Sequence, residues 1–153
     1  MITSIIFLFL PVVSSAQISE SKFIENMEWI NLNPSQSDND EFVSKSAELI
    51  TFHVYNYSNF YINNSGTKEL EGEWDGNPFK EYFFIVYSYN QLNYKLLNKK
   101  FNKVDACTFS MKKLIESYMI VIKNNPKLRI KTLDEYSKLN ESDLQKKIKK
   151  LVK

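Results

Sequence analysis

Apolar positions recur at helical spacing along most of this chain, and the clearest run lies at 103–124. There Val104, Cys107, Met111, Leu114, Tyr118 and Val121 fall three, four, three, four and three residues apart. Asp105, Lys112, Lys113, Glu116 and Lys123 stand off that stripe, as expected of a helix with one buried face. Asn102 is placed to cap its start, and Asn124-Asn125-Pro126 ends it. A first helix is predicted on Phe23, Met27 and Ile30, broadened by Ile24 and capped by Ser19 or Ser21. Asn33-Pro34 stops it, because proline pushes the preceding residue out of the α region.

After a polar loop from Ser35 to Asn39, a second helix is predicted with Asp38 or Asp40 as cap, running through Phe42, Leu49 and Ile50. Its far end has two readings, since Ile50, Phe52 and Val54 alternate with Thr51, His53 and Tyr55 at strand period. Gly66, Gly72 and Gly76 mark a long irregular segment between Asn63 and Asn77. Asn77-Pro78 reads as a cap with proline at the first helical position, opening a buried central helix to Leu97. Tyr82 to Tyr89 fits a buried strand as well. Thr132 and Glu135 are spaced as a capping box for a short helix around Leu133 to Leu139. Asn140 or Ser142 opens a last helix through Leu144, Ile148 and Leu151. The expectation is one all-α domain of about five helices with one long irregular loop. The alternative is an α+β fold with a small antiparallel sheet from residues 49–62 and 81–90.

The N-terminus reads differently. An apolar run from Ile5 to Leu10, extended by Val12 and Val13, precedes Ser14-Ser15-Ala16. Small residues before a cut are what signal peptidase accepts, and the run is far shorter than the roughly 20 residues that span a bilayer. Residues 1–16 are therefore expected to be a signal peptide and 17–153 the mature domain, exported to the periplasm or medium. No second apolar run follows, so no membrane-spanning segment is expected in the mature chain. The single cysteine, Cys107, leaves packing rather than an internal disulfide to hold the fold.

Charge is divided along the chain. Residues 17–84 carry four Lys against twelve acids, a net −8, whereas residues 85–153 carry sixteen basic residues against six acids, a net +10. Mutual neutralisation on packing is the simpler expectation, and a basic face for an anionic partner the sharper one. Arg129 is the only arginine among twenty basic residues, which argues against specific nucleic-acid recognition, where bidentate Arg contacts dominate.

Candidate chemistry is sparse. Nucleophilic catalysis needs a base beside a Ser or Cys, but His53 is the only histidine and Cys107 lies on an apolar stripe. One His and one Cys do not make a zinc site, and no cofactor is implied. Glu69, Glu71, Glu73 and Asp75 recur every second residue before Gly76. Read from Glu71, they imitate the opening of a calcium loop, but Tyr82 stands where the bidentate Glu is needed, so the 69–76 segment reads as a solvated acidic loop. Tyr55, Tyr57, Phe60 and Tyr61, with Trp74, either seal the core from one end or form a platform for sugar or peptide.

The pieces FIENMEWINLNP, NPFKEYFFIVYSY and MKKLIESYMIVIKNNPKL, behind a signal peptide ending in Ala-Gln, resemble small exported helical proteins of bacteroidete bacteria. The resemblance implies a helical domain in a bacterial envelope or medium and carries no catalytic residue across. The functional expectation is a soluble binding or interaction module for a protein, peptide or glycan. Two alternatives stand beside it: a hydrolase using acidic-loop carboxylates, and a membrane-surface protein docking through its basic C-terminal helix.

Overall fold

The structure, a computed structural model, describes residues 18–70 and 72–152. The expected signal peptide, Glu71 and Lys153 lie outside the described residues. These comprise six α-helices: α1 (Glu20–Leu32), α2 (Asp40–Asn56), α3 (Lys80–Leu97), α4 (Lys103–Asn124), α5 (Lys131–Tyr136) and α6 (Glu141–Leu151). Two 3-10 helices, Asn64–Leu70 and Pro126–Leu128, complete the arrangement, and no strand occurs among the described residues.

The centre is the antiparallel pair α3–α4, joined by the short loop 98–102. Rings meet in reversed order along it: Phe83 packs on Tyr118 near one end and Tyr94 on Phe109 near the other. Every residue from Val86 to Asn93 is buried, so α3 is enclosed on all sides over two turns. That burial includes polar side chains, most of which find partners inside. Asn90 exchanges amide hydrogen bonds with Asn31 of α1, at 2.8 Å and 3.3 Å. Tyr82 donates to the Ile30 carbonyl at 2.8 Å, fastening α3 to α1 a second time.

The strand readings at 49–62 and 81–90 are overturned. Phe42, Ser46, Leu49 and Phe52 form the buried face of α2, and Phe52 packs against Phe23 of α1 with centroids 4.9 Å apart. Ile50 and Val54, the other members of the apparent alternation, stand exposed. The β-branched preference gave way to the larger burial that a helical register provides.

Caps were legible where they are local. Ser19, Asn102 and Asn140 each accept backbone N–H bonds at their helix starts. Asn39, between the two expected Asp residues, caps α2 through a 2.8 Å bond from Phe42 N–H. Three cap expectations fail, the first because Asn39 rather than Asp38 or Asp40 caps α2. Asn77 accepts from Phe79 N–H in a turn, so α3 begins at Lys80 rather than at Pro78. Thr132 caps nothing: its hydroxyl donates to Glu73 at 2.7 Å, and its N–H donates to the same carboxylate at 2.9 Å. α6 docks on α4 with Leu144, Ile148 and Val152 buried, so its apolar face is a core face.

Candidate functional site

The most distinctive surface lies where α2 ends beside the last turns of α3. Here the chain must reverse, and three contacts fix how. Tyr57 N–H closes the helix on the His53 carbonyl at 2.8 Å, and Phe60 N–H returns to the Tyr57 carbonyl at 2.8 Å. The His53 ring then bridges forward, its Nε2 3.0 Å from the Phe60 carbonyl oxygen. Beyond the turn, Gln91 of α3 pairs its side-chain amide with the Asn63 peptide, accepting at 2.8 Å and donating at 3.1 Å. A buried glutamine thus does for this loop what a neighbouring strand does in a sheet.

This bracing presents an aromatic floor. Phe60 is buried, and its ring meets the Phe101 ring from loop 98–102 edge to face, centroids 5.3 Å apart. The Lys95 ammonium lies 5.3 Å from the centre of the Phe60 ring and 5.6 Å from that of Tyr57. Ring quadrupoles attract a cation placed in this way without neutralising its charge. The result is a cleft of about 420 Å³ lined by Asn56, Tyr57, Ser58, Asn59, Phe60, Tyr61, Lys95, Phe101 and Lys103. Two ammonium groups and four aromatic rings line it, and no carboxylate does.

Tyr57 divides this cleft from a second one of about 440 Å³, which adds Ile18, Ser19, Glu20 and Phe52 and shares Asn56 and Tyr57. The Tyr57 hydroxyl donates to Glu20 at 2.5 Å, and this hydrogen bond to a carboxylate raises the phenol pKa above its ordinary value. Glu20 is thereby engaged at the far side of the ring.

The aromatic platform expected from sequence is only partly assembled. Tyr57, Phe60 and Tyr61 come together, with Tyr61 92 % exposed. Trp74 does not join them, because it is 6 % exposed and stacks on Phe83 near the other end of α3. Phe83 and Lys95 are separated by roughly 18 Å of helix at 1.5 Å per residue. Trp74 instead floors an open cleft of about 560 Å³ that Asp75, Lys80, Glu81 and Phe84 also line.

The acidic loop disperses its charges. Glu69 accepts from the Tyr136 hydroxyl at 2.8 Å and pairs with Lys147 at 2.7 Å. Glu73 is held by Thr132, and Asp75 pairs with Lys80 at 2.5 Å. Among the described residues, no three His, Cys, Asp or Glu side chains gather as a metal-holding group. Cys107 is fully buried on the stripe, as expected, and burial raises its thiol pKa above the usual value. His53 acts as a brace for the turn.

Lys95, Phe101 and Lys103 are members of the site that sequence reasoning passed over. Their signal is the pattern Lys95, Lys99-Lys100-Phe101 and Lys103, basic residues clustered about one aromatic with no acid among them. Comparison with protein-family models, with curated proteins and with solved structures finds no match for this chain.

Proposed function

We propose that the protein is an exported binding module that captures an anionic partner at the lysine–aromatic cleft between α2 and α3. Support for export is the apolar run Ile5 to Leu10 followed by Ser14-Ser15-Ala16. The observation that carries the binding reading is the lining: Lys95 and Lys103 face a cleft with aromatic walls and no carboxylate. Such a surface attracts negative charge and offers flat apolar faces to whatever bears it. Binding fits better than catalysis, since the site pairs no nucleophile with a base.

The ion-pair pattern adds weight. Of the eight ion pairs among the described residues, only Lys147–Glu69 joins the acidic first half to the basic second half. The two halves do little direct neutralisation of each other, and the cleft lysines belong to the surplus.

Retention of the mature chain on immobilised dextran sulfate and on immobilised polyglutamate tests the reading. Replacing both Lys95 and Lys103 by Gln is expected to weaken binding roughly fivefold, at about half a kcal/mol per charge contact. Replacing Lys146 and Lys149 of α6 removes the same charge and is expected to weaken it far less. Equal losses in the two double variants would reduce the attraction to net charge and overturn the proposal.

A further inference from the structure

Resting on that reading, we infer that the anionic partner is an acidic polysaccharide, a chain of sugar rings bearing carboxylates. Three features of the cleft favour sugar over other polyanions.

The first is the exposure of the rings. Tyr61 is 92 % exposed and Phe101 44 % exposed, so their faces are open to a ligand rather than spent on the core. The C–H face of a pyranose stacks on such a ring, whereas a polyglutamate chain presents no comparable flat apolar face. The second is extent: the lysine cleft holds about 420 Å³ and ends at Tyr57, beyond which Glu20 lines the neighbouring cleft, so a carboxylate-bearing chain is seated on the lysine side alone. The third is the polar complement: Asn59 and Ser58, both exposed, offer an amide and a hydroxyl at the same wall, suited to sugar hydroxyls.

Titration calorimetry with oligogalacturonate, maltohexaose, polyglutamate and phosphatidylglycerol vesicles separates the outcomes. Oligogalacturonate is expected to bind more tightly than any of the others, and neutral maltohexaose to give no measurable heat. Tyr61→Ala, at a side chain too exposed to support the fold, should weaken oligogalacturonate roughly fivefold and leave polyglutamate unchanged. Equal or tighter binding of polyglutamate or of the vesicles would overturn the sugar assignment and leave the anionic cleft standing. Silence with all three anionic probes would remove both.

Discussion

At the level of single residues, Gly66 shows how closely the core is fitted. It sits in the first 3-10 helix with its α-carbon against the Tyr87 hydroxyl, and a methyl group built there would lie 2.1 Å from that oxygen. Tyr87 is 1 % exposed and has no room to move aside. Gly66→Ala is therefore expected to destabilise by about 1–3 kcal/mol, the usual cost of overpacking. Adding Tyr87→Phe removes the nearest clashing atom but leaves the ring carbon Cζ at 3.0 Å, so the double variant should recover part of that loss in denaturant titrations. Additive effects of the two changes would show that the hydroxyl is not what glycine accommodates. Nothing in the sequence marks this contact, because three glycines in a loop suggest turns. Gly72 and Gly76, at φ +85° and +77°, are indeed turn glycines. Only the fold distinguishes a glycine needed for its backbone from one needed for its missing side chain.

At the level of elements, what was legible was what is local. Helix stripes and side-chain caps depend on neighbours within a turn, and these were readable at α1, α4 and α6. The capping box expected at Thr132 failed because its partner lies 59 residues away: Glu73 takes both the Thr132 hydroxyl and its N–H. The candidate cleft was hidden for the same reason, since Lys95 meets the rings of Tyr57 and Phe60 only after α2 and α3 are packed. The Glu73 contact has a pH consequence. Hydrogen bonds from Thr132, backbone first, hold the Glu73 carboxyl below its ordinary pKa, and Lys147 and Tyr136 lower that of Glu69. A carboxyl whose folded pKa is depressed stabilises the fold above its unfolded value of roughly 4.3, and that stability is lost as pH falls through the folded value. Glu73→Gln should lower stability at pH 7 by about 1 kcal/mol or less, given the exposure of the carboxylate. The Tm curves of variant and wild type should converge below about pH 4. A gap that persists undiminished at low pH would show that the carboxylate charge is not involved.

Across the whole molecule, the last helix decides how much of the basic half is free to meet a partner. α6 carries Lys146, Lys147, Lys149 and Lys150 on one side and Leu144 and Ile148 on the other, the composition of a membrane-surface helix as well as of a closing one. In the fold its apolar residues are already taken: Leu144, Ile148 and Val152 are each no more than 3 % exposed. Lys147 is tied to Glu69 of the acidic segment, so α6 also joins the two oppositely charged halves. Among the described residues no helix is long and apolar enough to cross a membrane. Laying α6 on lipid would rebury its own three side chains but leave the core face beneath them open to water, at about 25 cal/mol per Å² of apolar surface. Against a whole-domain stability of about 5–15 kcal/mol, that exposure disfavours the lipid-bound state. Two variants measure which side of α6 matters. Ile148→Ala should cost about 2–5 kcal/mol and lower Tm by many degrees, as a core truncation does. Lys149→Gln with Lys150→Gln should change stability by no more than about 0.5 kcal/mol, as surface changes do. A negligible loss from Ile148→Ala would mean that α6 is not held on the core, and its apolar face would then be available to lipid.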